Sequence, residues 1–296
     1  FMSELVRHIG PDTDVPAGDI GVGGREIGYM YGAYKRIQNR TDGALTGKGV
    51  AYGGSHVRIE ATGYGAVYFI QQMLARADKE IRGMRAVISG YGNVATHVAL
   101  KLLEESAIPL TLSDRQGYIY AQDGLSKEVI LAVQEAKEQQ CALSSLVLPS
   151  GCVYQEGVPW TAVAADMYIP SATQNEISLK DAEAIVRHGA LLVAEASNMP
   201  TSLEGVALFQ KAGVLFGPAK AVNAGGVAVS GLEMAQNAGR IAWSATDVDS
   251  NLRAIMEKIH TTCVEYGEDQ GGVDYVKGAN IGGFVRVFLA MKQLGW

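Results

Sequence analysis

Between Arg85 and Leu103 the sequence reads RAVISGYGNVATHVALKLL: a short β-branched apolar run, a glycine turn and a helical stretch. A run this short and apolar is the pattern of a strand buried on both faces of a parallel sheet. Gly90-Tyr91-Gly92-Asn93-Val94-Ala95 has the Gly-x-Gly-x-x-Ala form and sits between that strand and that helix. Gly90 permits the tight turn, Gly92 lets backbone approach a pyrophosphate, and Ala95 lets the helix lie close to the strand. The helix N-terminus, with Asn93 and Val94 in its first turn, offers unpaired N–H groups to the anion. Taken alone such a motif is weak, but here the strand before and the helix after are both present.

The next apolar run, Ile108–Ser113, is expected as the second strand, and it leads into Asp114-Arg115. Asp114 lies 22 positions beyond Gly92, close to the roughly 20 at which an acid meets the adenine ribose. A carboxylate there favours NAD, whereas Arg115 offers a cationic fork to a 2′-phosphate and favours NADP. NADP is set slightly ahead, with NAD as the alternative. The reading without a ligand is that both residues only solvate a turn before Gly117.

Strand–helix alternation continues with expected strands at Met167–Ile169, Leu191–Glu195 and Val214–Phe216, and helices at Ser178–His188 and Ser202–Ala212. Upstream, Ile27, Met30, Tyr31, Tyr34 and Ile37 mark one helix face, and Glu60–Ala77 reads as a second helix. Downstream only helices are expected, at about 226–242, 247–266 and 275–294. The fold class is α/β, a Rossmann-like doubly wound, mostly parallel sheet with flanking helices from a truncated second domain.

Composition narrows the function. Net charge is −6 with no basic tract, so nucleic acid and membrane surfaces have nothing to bind to. Three cysteines, Cys141, Cys152 and Cys263, have no CxxC spacing, which argues against a disulfide scaffold or zinc site. No apolar run reaches the length of a membrane span, and cytoplasmic is the default location. His8, His56, His97, His188 and His260 show no paired spacing, so no metal is expected.

Longer stretches carry a resemblance. DTDVPAGDIGVGGREIGYMYG, LTGKG, YGGSHVRIEATGYG, SATQNE, ASNMPT, AVNAGGVAVSGLEMAQNA and GANIGGF resemble the bacterial glutamate dehydrogenases from first residue to last. The resemblance implies a two-domain enzyme interconverting glutamate with 2-oxoglutarate and ammonia, using NADP or NAD, in a homohexameric parent. Asp19 matches the catalytic aspartate that moves protons at the amine; its reading without catalysis is a helix N-cap. Ser230 matches the serine that holds the substrate's side-chain carboxylate, and Val227 its apolar neighbour. Thr46 and Asn223 match positions at the nicotinamide end, with Asn175 and Asn198 on loops near its ribose. Arg58 and Thr62 precede the helix bordering the cofactor. An isolated Asn is otherwise a turn residue, and Arg58 and Thr62 otherwise serve surface charge and helix initiation.

By the same resemblance, residues 1–51 are a remnant of the substrate domain, 52–272 the NAD(P)-binding Rossmann domain, and 273–296 a helix returning to the substrate domain. Relatives carry a glycine-rich, lysine-bearing segment ahead of the point where this chain starts, and Lys48 and Lys220 do not match those lysines. The expectation is a chain that binds cofactor and turns over glutamate poorly. Ser171 stands where many relatives have Cys. The alternatives are a branched-chain or phenylalanine dehydrogenase, in which the Ser230 hydroxyl would be wasted, and a non-catalytic NAD(P)-binding module, which would need neither Asp19 nor Ser230.

Overall fold

In the computed structural model, which describes residues 1–19 and 21–296, the chain divides into two compact units. One comprises Phe1–Ala61 with Gly225–Ile255, the other Thr62–Ala224 with Met256–Trp296. This division differs from the boundaries read from the sequence at 52 and 272: Gly225–Ile255 groups with Phe1–Ala61, and the last helix, expected with the substrate domain, groups with Thr62–Ala224.

The elements run α1 (Met2–Leu5), α2 (Gly24–Gln38), α3 (Ala61–Arg76), β1 (Arg85–Ile88), α4 (Asn93–Glu104), β2 (Ile108–Pro109), β3 (Thr111–Ser113) and β4 (Gly117–Ala121). They continue α5 (Lys127–Glu138), β5 (Cys152–Glu156), β6 (Met167–Ile169), α6 (Leu179–Arg187), β7 (Leu192–Ala194), α7 (Leu203–Lys211), β8 (Leu215–Gly217) and α8 (Ala219–Val222). The last are α9 (Gly225–Gly239), α10 (Ala245–Gly267), the hairpin β9 (Glu268–Asp269) and β10 (Gly272–Val273), and α11 (Tyr275–Leu294).

In the larger unit the five runs IP, RAVI, MYI, LVA and LFG form a parallel sheet of order β2-β1-β6-β7-β8. Val87, Tyr168, Val193 and Phe216 from these strands join Leu110, Trp160, Ile185 and Phe209 in one buried cluster. Each such side chain contributes roughly 1.5–3 kcal/mol by leaving water. The chain passes from β1 outward to β2, then crosses back to β6 on the other side of β1. The switch point of the sheet therefore lies between β1 and β6, and crevices outside the carboxyl ends at such points are where α/β sheets bind ligands.

The expected single strand Ile108–Ser113 is broken. Ile108–Pro109 pairs parallel with β1, whereas Thr111–Ser113 pairs antiparallel with β4 in a separate sheet of order β3-β4-β5. Leu110 is the hinge: its N–H donates to Ala86 O at 2.8 Å and its carbonyl accepts Ala121 N–H at 3.0 Å. One residue thus serves both sheets, which a hydrophobic run does not reveal.

In the smaller unit Ile27, Tyr31 and Tyr34 of α2 pack with Met2, Val6, Ile9, Ala44 and Leu45. Ile37, from the same expected stripe, is exposed instead. No helix among the described residues is long and apolar enough to cross a membrane.

Candidate functional site

In the larger unit, Gly90 has φ +83°, and a Cβ there would stand 2.9 Å from Ser171 O. The turn is thus pressed against the loop after β6, and only glycine fits it. Gly92 is the N-cap of α4 and no side chain caps that helix; a Cβ there would meet nothing within 4 Å. Asn93 and Val94 open the helix, and Ala95 is fully buried beneath it. An open approach, uncapped N–H groups and a positive helix end fit a dinucleotide pyrophosphate. Gly63 lets α3 come close to α4: a Cβ there would lie 2.7 Å from Val98 N. Thr62, just before Gly63, is the second residue of α3.

Asp114 is committed to its own turn. Its Oδ1 accepts from Gln116 N–H at 2.8 Å and Gly117 N–H at 3.0 Å, and its Oδ2 from Leu143 N–H at 3.1 Å. Arg115 beside it is exposed. Asp114 thus orders the turn before Gly117 and ties it to Leu143, and a ribose hydroxyl would share its oxygens with three backbone donors.

Farther along the same sheet edge, Asn175 sits in the left-handed region at φ +54° and donates its N–H to Met199 O at 3.0 Å. Asn223 Nδ2 donates to Asn198 Oδ1 at 2.6 Å. The loops after β6 and β7 and the end of α8 thus bring these three asparagines to the carboxyl edge of the sheet.

The smaller unit assembles a different group. Ser230, on α9 and nearly buried, accepts a hydrogen bond from Thr46 Oγ1 at 3.2 Å and one from Arg58 Nε at 2.9 Å. Arg58 must donate to Ser230, which leaves the Ser230 O–H free to rotate toward a further acceptor. Burial lowers the Arg58 pKa, and the Glu233 charge opposes that shift. The guanidinium makes no ion pair among the described residues. A cation, two hydroxyls and no paired anion form a place suited to a carboxylate.

One helical turn beyond Ser230, Glu233 accepts from Gly47 N–H at 2.9 Å, Lys48 N–H at 3.3 Å and Lys48 Nζ at 2.7 Å. Both side chains of this ion pair are fully buried, so the loop carrying Thr46 is pinned to α9. Val227, three positions before Ser230, is exposed. Asp19 is exposed and is not a helix cap: the N-cap of α2 is Gly23, whose N–H donates to Glu26 at 2.9 Å.

Arg58 is the residue whose weight the sequence least conveyed, since an arginine ahead of a helix reads as surface charge. Glu233 went unnoticed as well, although an acid within the apolar run GGVAVSGLEM was a readable signal.

These features define the class: an α/β chain with a glycine turn and an uncapped helix N-terminus at the switch point of one unit's parallel sheet, and a buried Ser230–Thr46–Arg58 group in the other. The model of the Glutamate/Leucine/Phenylalanine/Valine dehydrogenase family matches residues 53–295, and that of its dimerisation domain residues 1–36. A glutamate dehydrogenase of Bacteroides thetaiotaomicron is 48% identical over 298 residues, covering 100% of this chain and 67% of that protein. An NADP-specific glutamate dehydrogenase of Escherichia coli is 49% identical, covering 100% and 66%. Among solved structures, Plasmodium falciparum glutamate dehydrogenase has a TM-score of 0.95 at 43% identity, covering 100% of this chain and 64% of that one. The chain belongs to the glutamate/leucine/phenylalanine/valine dehydrogenase family, among the glutamate dehydrogenases. It spans about two thirds of the length of the relatives it matches. Those relatives are variously named NADP-specific, NAD(P)-specific and NAD-specific.

Proposed function

We propose that this chain is the cofactor-binding part of an NAD(P)-dependent glutamate dehydrogenase, which deaminates L-glutamate to 2-oxoglutarate and ammonia and runs the reverse reaction. The observation that supports it best is Ser230 held between Thr46 and Arg58. A buried hydroxyl beside a guanidinium that makes no ion pair among the described residues suits the side-chain carboxylate of glutamate, and that charge would be left unpaired against leucine, valine or phenylalanine.

The dinucleotide, when bound, accepts or delivers the hydride at the substrate Cα. Gly90, Gly92 and the first turn of α4 would cradle its pyrophosphate, and Thr62, Asn175, Asn198 and Asn223 would line the rest of its course. Asp114 already accepts three backbone N–H groups, and the exposed Arg115 beside it would answer a 2′-phosphate, which favours NADP over NAD. Ser230, Arg58 and Thr46 would orient the distal carboxylate with Val227 against the aliphatic chain. Asp19 would hold and return a proton at the amine nitrogen. None of the lysines here matches the substrate-binding lysines implied by the resemblance, so the 296-residue chain alone should bind cofactor with little turnover. In the parent enzyme a homohexamer in the cytoplasm is the assembly and place this reading favours.

The test is oxidation of NADPH, and separately NADH, with ammonia and either 2-oxoglutarate or 4-methyl-2-oxopentanoate, using the chain and a version extended to the length of its relatives. Turnover by the extended protein with 2-oxoglutarate supports the reading. Preference for the branched-chain oxo acid would replace it with a leucine or valine dehydrogenase, and dinucleotide binding with no turnover of either would favour a non-catalytic module.

A further inference from the structure

Glu195 closes β7 and is nearly buried. Its two carboxylate oxygens serve two different segments. Oε1 accepts Thr201 N–H at 3.3 Å, at the far end of the loop that carries Asn198. Oε2 accepts Ala219 N–H at 2.8 Å, at the first residue of α8, whose C-cap is Asn223. The N–H of Glu195 itself donates to Gly217 O at 3.0 Å, fixing the residue to β8. A ring of contacts results: Glu195 ties the Asn198 loop and α8 together at their bases, and the two asparagine side chains meet at 2.6 Å at their tips. Asn198 is exposed, so packing does not hold it there. Burial pushes the Glu195 carboxyl up, while the two N–H donors and nearby Lys220 favour its charged form.

We propose that Glu195 is a positioning residue for the nicotinamide half of the dinucleotide, acting by setting the Asn198–Asn223 pair at the carboxyl edge of β7 and β8. The proposal rests on the dinucleotide-site reading above and adds to it a residue that does not touch the cofactor.

Two substitutions break the ring at different atoms. Glu195→Gln keeps the volume, but an amide can accept at only one oxygen, and its NH₂ faces the other backbone donor. Ala219→Pro leaves Glu195 intact and removes the N–H that Oε2 accepts. Proline is tolerated at the first position of a helix, and Pro218 before it, at φ −74° and ψ 148°, already has the extended backbone that a following proline requires.

The measurement is equilibrium titration of the 296-residue chain and both variants with NADPH and with 2′,5′-ADP, and with NADH and 5′-AMP, alongside thermal melts. The dinucleotide should bind about tenfold more weakly to each variant while the adenine-end fragment changes less than about twofold. In an Asn198→Ala background, Glu195→Gln should add little further loss. Equal weakening of dinucleotide and fragment, unchanged dinucleotide binding, or loss of the native melt in both variants would overturn the positioning role and make Glu195 at most a fold residue. Fragment and dinucleotide binding both absent from the unsubstituted chain would overturn the site reading and this inference together.

Discussion

Ser230 accepts hydrogen bonds from two side chains at once, and that arrangement sets what each neighbour is worth. Arg58 brings a charge that makes no ion pair among the described residues, Glu233 nearby being paired with Lys48, so Arg58→Met should weaken 2-oxoglutarate binding by about 2 kcal/mol, whereas Ser230→Ala should cost about 1 kcal/mol. Calorimetric titration with saturating dinucleotide checks both, and the reverse order would mean that the serine alone reads the carboxylate. Asp114 makes a separate case. Its three backbone donors mean that Asp114→Ala should lower stability by roughly 1–2 kcal/mol, read by urea denaturation. NADPH and NADH should then compete as they do with the unsubstituted chain. A strong swing toward NADPH would instead show that the carboxylate repels a 2′-phosphate. Gly90→Ala places a Cβ against Ser171 O in a left-handed turn, a strain of about 1–2 kcal/mol before any clash. It should depress both the melting temperature and dinucleotide affinity.

At the scale of elements, the buried Lys48–Glu233 pair joins the 45–48 loop to α9. Removing either partner strands a charge without water, so Glu233→Leu or Lys48→Met alone should destabilise by about 3–5 kcal/mol. The double substitution should cost less than the two singles added, a non-additivity measurable in a denaturation cycle. The junction of α10 and α11 is pH-sensitive for a related reason. His260 on α10 shares a hydrogen bond of 3.0 Å with the Tyr275 hydroxyl on α11 and stands edge-on to Phe69, and burial together with Arg76 lowers its pKa to about 4. An unfolded histidine titrates near 6.5, so between that pH and about 4 the unfolded chain binds more protons than the folded one. Stability should therefore fall as pH drops through this window, and His260→Gln should flatten that slope in pH-resolved melts. Several elements were legible because their signals are local. Ser178 with Asp181 does cap α6, its hydroxyl accepting Asp181 N–H at 3.4 Å and the carboxylate accepting Ser178 N–H at 3.0 Å. The antiparallel sheet went unread because Leu110 changes partners in mid-run, and hydrophobicity reports burial rather than which strand lies alongside. Helix α5 carried readable marks, the Ser126 cap and buried Val129, Ile130 and Val133, that the strand–helix count passed over.

For the whole molecule, the parallel sheet and its glycine turn followed from sequence because short apolar strands and a Gly-x-Gly-x-x-Ala turn admit few alternatives. The Ser230–Thr46–Arg58 group did not follow from spacing. Thr46 and Arg58 meet Ser230 across 184 and 172 positions of chain, and a contact that distant leaves no periodic trace. Resemblance supplied Ser230 for the substrate but set Thr46 at the nicotinamide end and Arg58 beside the cofactor; the geometry brings both to Ser230 and adds Glu233. The division into units likewise depends on Gly225–Ile255 packing with the first sixty-one residues, a long-range association that a linear reading assigns to its sequence neighbours. The measurement that bears most directly on the central claim is titration of the 296-residue chain with NADPH, followed by nucleotide fluorescence and repeated with Gly90→Ala. Saturable binding that the substitution weakens about tenfold or more is the expected result. Absence of binding by the unsubstituted folded chain, or binding indifferent to Gly90, would contradict the assignment of the Gly90–Ala95 turn as the dinucleotide site.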